Sequence, residues 1–382
     1  MSRQLLTNCK LFDGDDVHVD RAVLIENGRI ADIVPAGEAP DDGEVIDIEG
    51  HLLAPGFIDI QVNGGGGVLF NDTPSVDGLQ AIAAAHRAFG TTSCLPTLIT
   101  DEPAVMQKGI EAVAKSLKGE CPAVLGIHLE GPHLSPQYRG VHDAAHMRPL
   151  GEDAMALLCS LEQGRTLVTV APERISAESI RGLCDAGIVV FGGHSAATYD
   201  ETQQALAAGL SGFTHLFNAM SPLTSRAPGM VGAALDDADS YIGIIADGYH
   251  VHPATLRIAL RAKAKGRVCL VTDAMPTVGS ADKTFSLYGQ TISATGGRCV
   301  SHDGTLAGSD IGMIDAVRNV VRFGGVDRYE ALRMASTYPA TAIGIDDSLG
   351  YLRPGYRADM VVLDEDLNVV QSWVNGDRET YS

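Results

Sequence analysis

Four polar residues of this sequence are of the types that hold a metal ion and activate a water molecule. Glu130, His194 and His215 offer one carboxylate and two imidazoles, the ligands that zinc uses in open catalytic sites with water in the remaining position. Asp273 ends an apolar run, and a carboxylate so placed could be a general base toward metal-bound water. Three of them have an ordinary alternative: His194 as a loop histidine beside two glycines, His215 as a core histidine, and Asp273 as a cap. Whether these residues form one metal site depends on where the strands and helices that carry them place their side chains.

The central part of the chain alternates short apolar runs with amphipathic stretches. Short, continuous, β-branched runs predict strands buried on both faces of a parallel sheet, and eight strand–helix units in succession predict a (β/α)8 barrel. The predicted strands are Gly56–Gln61, Thr92–Thr97, Val124–Glu130, Leu167–Val170, Val189–Gly192, Gly212–His215, Tyr241–Ala246 and Arg267–Thr272. The predicted helices are Val76–Phe89, Glu102–Leu117, Glu152–Leu161, Ser176–Ala186, Asp200–Ala208 and Pro253–Lys263, with Asp310–Phe323 and Arg328–Ala340 after the eighth strand. Residues 216–240 predict a loop in place of the helix after strand six.

Polar residues recur where these predicted strands end. In a (β/α)8 barrel the catalytic groups project from the C-terminal ends of the strands. Glu130 ends the third strand, His194 follows the fifth, His215 ends the sixth and Asp273 follows the eighth. The other polar residues at strand ends are Gln61, Asn63, His128, Asp247 and His250. This joint placement favours a metal-dependent hydrolase over the three separate alternatives.

Both ends of the chain predict short strands joined by tight turns. The turns are Asn27-Gly28 and Asn375-Gly376. The predicted strands are Val17–Val19, Ala22–Glu26, Ile30–Val34, Glu44–Ile48, Ala358–Leu363 and Val369–Val374. Because neither end could bury a core alone, we expect one small β-sandwich domain from residues 1–54 and 348–382, attached to a barrel of residues 55–347.

The net charge restricts the classes of molecule that this protein could bind, and the cysteines indicate its cellular compartment. A net charge of -20 argues against nucleic acid and anionic membranes, so any anionic ligand needs a local cationic or backbone N–H site. The seven cysteines are scattered without a C-x-x-C pair, which is typical of reduced thiols. The sequence has neither a signal-peptide core nor an apolar run of membrane-spanning length. We therefore expect a soluble cytoplasmic protein.

The strand-end motifs resemble those of the N-acetylglucosamine-6-phosphate deacetylases, a family within the amidohydrolase superfamily. The motifs are Pro55-Gly56-Phe57-Ile58-Asp59, His128-Leu129-Glu130-Gly131-Pro132, Gly193-His194-Ser195, Thr214-His215-Leu216-Phe217-Asn218-Ala219-Met220, Ile245-Ala246-Asp247-Gly248-Tyr249-His250-Val251 and Leu270–Ala274. They occur in the family's order along essentially the whole chain. The resemblance implies hydrolysis of N-acetylglucosamine 6-phosphate to glucosamine 6-phosphate and acetate, in amino-sugar catabolism and recycling.

The resemblance also implies a role for individual residues. Glu130, His194 and His215 would bind the metal, Asp273 would be the acid and base, and His142 would help to polarise the acetyl carbonyl. The positions that match substrate contacts are Gln61, Val141, Asn218, Ala219, Arg226, His250, Leu306, Ala307 and Gly308. Among these, Asn218, Ala219, Arg226 and His250 match contacts to the sugar phosphate, although Arg226 by itself is typical of a solvated loop. A homodimer is implied, with a neighbouring subunit as a possible contributor to the phosphate site.

The number of metal ions follows from a departure at strand one. Many amidohydrolases carry His-x-His there as half of a two-metal site, whereas this chain has Gln61-Val62-Asn63. Amide groups are poor substitutes for imidazoles around zinc, and strand four offers no lysine for a bridging modification. We predict one divalent ion per subunit, Zn²⁺ in the first place, with Fe²⁺ as an alternative.

Three questions stay open at this point. Within the enzymes, a deacetylase of an epimeric amino-sugar phosphate or a cyclic-amide hydrolase is the nearest rival, although cyclic-amide hydrolases usually keep the two-metal ligand set. A non-catalytic scaffold is the rival from another class, and it would be expected to lose the ligands that this chain retains. The roles of His128 and His133, on either side of Glu130, are undecided.

Overall fold

The computed structural model describes residues 3–38 and 43–381. Its strands are β1 Arg3–Phe12, β2 Val17–Glu26, β3 Arg29–Pro35, β4 Glu44–Asp47, β5 Leu52–Pro55, β6 Phe57–Val62, β7 Gly64–Gly65, β8 Val68–Leu69, β9 Thr91–Ile99, β10 Gly126–Glu130, β11 Arg165–Val170, β12 Val189–Gly192, β13 Gly212–Phe213, β14 Tyr241–Ile244, β15 Val268–Leu270, β16 Thr284–Leu287, β17 Gln290–Thr295, β18 Arg298–Ser301, β19 Leu306–Ser309, β20 Met360–Leu363, β21 Val369–Val374 and β22 Asp377–Thr380. Its α-helices are α1 Val76–Arg87, α2 Pro103–Lys115, α3 Glu152–Leu158, α4 Ala177–Asp185, α5 Tyr199–Ala207, α6 Gly229–Asp236, α7 Pro253–Ala262, α8 Met313–Asn319, α9 Arg328–Ala335 and α10 Thr337–Ala342.

Eight parallel strands form the barrel. They pair in the order β6, β9, β10, β11, β12, β13, β14 and β15, which is their order along the chain. The seam between the last strand and the first is bridged where Val62 pairs with Ala274 and where the Asp273 N–H donates to the Gln61 carbonyl at 3.0 Å. Every residue of β6, β9 and β10 is buried, as expected of strands covered on both faces. The predicted (β/α)8 barrel is confirmed, and each predicted strand overlaps its observed counterpart.

The loop predicted over residues 216–240 is wrong in its second half, because it contains helix α6. This helix reads Gly-Met-Val-Gly-Ala-Ala-Leu-Asp and is buried from Gly229 to Ala234. Because its first six residues are all buried, most of this helix lacks the polar face that gives a helical period, so the sequence pattern does not reveal it. The helix predicted over Arg328–Ala340 is also divided into α9 and α10 by Ser336, whose φ and ψ are -134° and -72°.

A four-stranded antiparallel sheet stands between the eighth barrel strand and its helix, where we predicted no strands. It pairs in the order β16, β17, β18 and β19. Its sequence is rich in Ser, Thr and Gly, and only its inner face is apolar. The sequence pattern therefore did not predict these strands. Leu287, Ile292 and Cys299 pack on Met275 and Ile99 at the mouth of the barrel. The sheet therefore forms a wall beside the C-terminal ends of the barrel strands.

The two ends of the chain share one further sheet. Its order is β22, β21, β20, β5, β1, β2 and β3, with β4 also paired to β1. Trp373 and Met360 from the C-terminal end pack with Leu6, Leu11 and Ile25 from the N-terminal end. The small β domain formed from both termini is confirmed. Its division from the barrel at 54/55 and 347/348 stays a prediction, and residues 1, 2, 39–42 and 382 of the predicted domain lie outside the described residues.

Within residues 3–38 and 43–381, no helix is both long enough and apolar enough to span a lipid bilayer.

Candidate active site

Three buried side chains converge above the C-terminal end of the barrel. Glu130 ends β10, His194 follows β12 and His215 follows β13. The Nε2 atoms of His194 and His215 lie 3.0 Å and 2.9 Å from Glu130 Oε1, and 3.0 Å from each other. All three side chains are almost fully buried. One carboxylate oxygen and two imidazole nitrogens thus face a common point.

The hydrogen bonds around this cluster suit metal binding. The Nδ1 atom of His194 lies 2.8 Å from the carbonyl of Tyr138, so Nδ1–H donates there and directs Nε2 to the common point. Burial by itself would raise the pKa of Glu130, but hydrogen bonds to His194 and His215 hold that pKa well below its usual range. Burial lowers the pKa of His215, and its bond to Glu130 more than reverses this effect. An ionised carboxylate facing two imidazole nitrogens could hold a divalent cation.

Asp273 lies beside this cluster and is held by two amides, one in strand β6 and one immediately after it. The side-chain nitrogens of Asn63 and Gln61 lie 2.6 Å and 3.1 Å from Asp273 Oδ1. Gln61 Nε2 also lies 3.2 Å from Glu130 Oε2, so one amide joins the two carboxylates. Burial first, and then the charge of Glu130, raise the pKa of Asp273 to about 6, although His215 and His250 act in the opposite direction.

Several residues of the site have left-handed backbone conformations that non-glycine residues rarely adopt. They are His194, His215, Phe217, Ala219 and Asp273, with φ of 47°, 33°, 79°, 50° and 51°. Such conformations cost about 1 to 2 kcal/mol each and persist where surrounding contacts impose them. Their concentration at one place indicates that the fold is strained in order to aim these side chains.

Two carboxylates that the sequence analysis did not identify support the strained segments. Asp59 is fully buried and accepts from the Thr272 hydroxyl at 2.5 Å, immediately before Asp273. Glu173 accepts from the Ser195 hydroxyl at 2.6 Å, immediately after His194. Asp59 belongs to the Pro-Gly-Phe-Ile-Asp motif, which was a usable signal. No signal in the sequence indicated Glu173, because its contact joins segments that are distant in the chain.

His142 is fixed beside the cluster in one tautomer. The backbone N–H of Thr100 donates to His142 Nδ1 at 3.3 Å, and the Thr100 hydroxyl lies 2.8 Å from the same atom. Burial holds the pKa of His142 well below its usual range, so the ring is neutral. Because Nδ1 accepts, the single proton of the ring is on Nε2, and His142 can donate a hydrogen bond from that atom.

A cavity of about 400 Å³ lies in front of these groups. Its lining includes the predicted site residues Glu130, Val141, His142, His194, His215, Asn218, Ala219, His250, Asp273, Leu306 and Gly308, and also Asn63. Ala307 lies behind the wall, in the apolar core of the four-stranded sheet. Gln61 touches Glu130 and Asp273 from beside the cavity. Arg226 is exposed and is not part of the lining, so the single chain does not bring it to the others.

The two histidines left undecided lie outside the cavity lining. His128 is buried in the barrel interior, where its ring nitrogens meet the hydroxyls of Thr97 at 3.1 Å and Thr169 at 2.7 Å. Burial lowers the pKa of His128 to about 4, so the ring is neutral. His133 Nδ1 lies 3.0 Å from the Arg148 carbonyl. Both therefore hold adjoining segments together.

The chain is similar to known proteins along nearly its whole length. The model of the Amidohydrolase family matches residues 52–378, and that of the NagA composite domain matches residues 5–53. The N-acetylgalactosamine-6-phosphate deacetylase of Shewanella sp. (strain ANA-3) is 43% identical over 85% of this chain and 82% of its own length. The N-acetylglucosamine-6-phosphate deacetylase of Haemophilus influenzae is 37% identical over 97% of this chain and 98% of its own length. The crystal structure of the N-acetylglucosamine-6-phosphate deacetylase from Pasteurella multocida superimposes with a TM-score of 0.96, at 37% identity, over 99% of this chain and 100% of that one. With a family model matched from residue 52 to residue 378 and a barrel of that kind in the structure, the chain belongs to the amidohydrolase family.

Proposed function

We propose that this protein hydrolyses the N-acetyl group of N-acetyl-D-glucosamine 6-phosphate, releasing D-glucosamine 6-phosphate and acetate in amino-sugar catabolism and recycling. The observation that carries the proposal is the cavity in which Glu130, His194 and His215 converge beside Asp273. Relatives of nearly the same length are deacetylases of hexosamine 6-phosphates. A non-catalytic scaffold would have no need of a strained, buried cluster of this kind.

Asp273 is the general base and then the general acid. Within the described chain its Oδ1 accepts both amide donors, while Oδ2 has no hydrogen-bond partner and is the free acceptor. A pKa of about 6 leaves the carboxylate ionised near neutral pH, yet close enough to that pH to return the proton. Oδ2 takes a proton from the attacking water and delivers it to the sugar nitrogen, so that a neutral amine leaves.

His142 stabilises the oxygen of the acetyl carbonyl. The Nε2–H group donates a hydrogen bond to that oxygen as negative charge develops on it, and Thr100 prevents the ring from presenting Nδ1 instead. A divalent ion held by Glu130, His194 and His215 would supply a water of lowered pKa for the attack. The other steps are performed by protein side chains.

One ion per subunit, Zn²⁺ or alternatively Fe²⁺, fits the donor set. In a two-metal site, cations would lie between the carboxylates and the residues at the end of strand β6. Here the amide nitrogens of Gln61 and Asn63 already donate to Glu130 and Asp273. These N–H donors take the position that a second cation would need.

The sugar phosphate is held on the side of the cavity formed by the loop after β13. Asn218 and Ala219 line the cavity there. In the described chain the Ala219 N–H makes no hydrogen bond, and its left-handed backbone conformation leaves this group available to a phosphate oxygen. Val141, His250, Leu306 and Gly308 complete the walls that contact the sugar.

The second candidate substrate is the epimer N-acetyl-D-galactosamine 6-phosphate. A relative that is 43% identical over 85% of this chain carries that activity in its name, which favours testing both sugars side by side. Acetate release should be measured for the two phosphosugars and for unphosphorylated N-acetylglucosamine. We expect the highest kcat/KM for the glucosamine derivative and a large loss without the phosphate. A higher kcat/KM for the galactosamine derivative would overturn the choice of sugar and leave the chemistry intact.

We further propose a homodimer in which Arg226 reaches the phosphate of the neighbouring subunit. The exposed position of Arg226 supports this proposal, because the residue lies in the loop of residues 221–228, away from the cavity of its own subunit. The variants Arg226→Ala and Asp273→Asn, each of which we expect to be inactive at a substrate concentration far below KM, can be mixed in equal amounts and allowed to exchange subunits. If Arg226 acts across the interface, half of the dimers contain one complete site and activity returns to about a quarter of wild type. If Arg226 acts within its own chain, no complete site forms and the mixture stays inactive.

We place the enzyme in the cytoplasm. All seven cysteines are unpaired in the structure, which suits a reducing compartment.

A further inference from the structure

A second buried pair of titratable residues, Asp247 and His250, follows barrel strand β14. His250 Nδ1 lies 2.6 Å from Asp247 Oδ2, and the side chains are 5% and 0% exposed. His250 lines the cavity, whereas Asp247 does not. Asp247 therefore does not contact a molecule in the cavity, whereas the histidine that it holds does line the cavity.

Asp247 is placed to determine which nitrogen of His250 carries a proton. Its Oδ1 accepts from the backbone N–H groups of Tyr249 and His250, both at 2.8 Å. Its Oδ2 then faces His250 Nδ1 alone. A carboxylate offers only acceptors, so Nδ1 must be the protonated nitrogen and Nε2 the nitrogen left for another partner.

The segment that carries this pair is anchored from two neighbouring elements. The side chain of Asn319, the last residue of α8, donates to the Ala246 carbonyl at 2.9 Å. The guanidinium of Arg298, in β18, lies 4.4 Å from the centre of the Tyr249 ring. Because these two contacts hold the turn from both sides, they restrict the orientation of the His250 ring.

We propose that Asp247 is a positioning residue that holds His250 in the form protonated on Nδ1, so that Nε2 contacts an oxygen of the substrate. The contact to a sugar phosphate rests on the proposed function, whereas the protonation of Nδ1 does not. Since the contact lies away from the bond that is broken, its loss affects substrate binding more than the chemical step.

The variant Asp247→Asn tests this with a defined outcome. The amide oxygen can keep the two backbone N–H donors, and its NH₂ group then faces Nδ1 and requires that atom to accept. The ring proton must move to Nε2. Nitrogen-15 NMR of histidine-labelled protein reports this change directly, with the His250 signals assigned from the spectrum of His250→Gln. We also expect KM to rise about 10-fold while kcat changes less than about 3-fold.

Asp364→Asn is the matched control. Asp364, in the small domain, accepts from two backbone N–H groups with Oδ1 and from the Asn368 side chain with Oδ2, and neither oxygen is hydrogen-bonded to a histidine. This variant should leave the His250 spectrum and KM unchanged. Its thermal unfolding reports what the loss of such a turn does to stability alone.

Three results overturn the proposal. They are a wild-type His250 protonated on Nε2 alone, an unchanged tautomer in Asp247→Asn, and an unchanged KM in a variant whose tautomer has switched. If the wild-type protein releases no acetate from either phosphosugar, the proposed function fails, and the NMR result still decides whether Asp247 sets the tautomer.

Discussion

Replacing Asp273 by Asn should abolish turnover and at the same time stabilise the metal-free protein. The side chain keeps its shape, and its oxygen can still accept from Asn63 and Gln61. The amide cannot take a proton, so the loss of general base catalysis should lower kcat by about 10²- to 10⁴-fold.

The stability effect follows from the raised pKa. The pKa of Asp273 is about 6 in the folded chain against a model-compound value of 3.8, and each unit corresponds to about 1.4 kcal/mol. A raised pKa means that the folded state favours the protonated carboxyl. Its stabilising contribution is complete below pH 3.8 and is lost as pH rises through 6. A neutral Asn avoids that loss, so metal-free Asp273→Asn should be more stable than wild type at pH 7.5 by on the order of 3 kcal/mol.

Acetate release measures the loss of turnover, urea unfolding of the metal-free protein measures the gain in stability, and metal content checks that the metal site is intact. Asp359→Asn provides the contrasting control, because the buried Asp359 is paired with Arg357 and lies outside the cavity. That variant should lose about 3 kcal/mol of stability and keep the kcat of the folded enzyme. A near-normal kcat in Asp273→Asn would refute its role, and a loss of stability would refute the account of its burial.

Three further predictions concern the rest of the site. His142→Ala should lower kcat by about 10²-fold without changing metal content, which parallel kinetics and metal analysis would check; a change confined to KM would argue against a carbonyl contact. The acid limb of kcat/KM should fall with an apparent pKa no higher than about 6, because a bound cation would lower the pKa of Asp273 further; an acid limb near pH 8 in a pH–rate profile would contradict this assignment. His194→Ala should weaken zinc binding by at least about 100-fold in a chelator competition, whereas His133→Ala, outside the cavity, should not; equal affinities for the two would exclude His194 as a ligand.

Most of the barrel and its candidate metal ligands could be predicted from the sequence because two physical patterns coincide. Strands buried on both faces appear as short apolar runs, and catalytic groups of this fold follow those runs, as Glu130, His194 and Asp273 do. Helix α6 was not predicted because its first six residues are all buried, so that most of the helix has no polar face. The sheet β16–β19 was not predicted because its strands carry mainly small polar residues.

The supporting contacts could not be predicted, because they depend on closure of the fold. Glu173 reaches Ser195, and Thr100 sets the tautomer of His142 across 42 residues of chain. Nothing in the local sequence pairs such residues. The exposed position of Arg226 could not be predicted either, because its distance from the cavity depends on the path of the loop that carries it away from the barrel.

Titration of the metal-free protein with zinc, while acetate release from N-acetyl-D-glucosamine 6-phosphate is followed, tests the central claim most directly. The proposed function predicts that activity is absent without metal, rises linearly and reaches its plateau at one equivalent per subunit. A plateau at two equivalents would contradict the single-metal site, and no acetate at any metal level from either epimer would contradict the deacetylase itself.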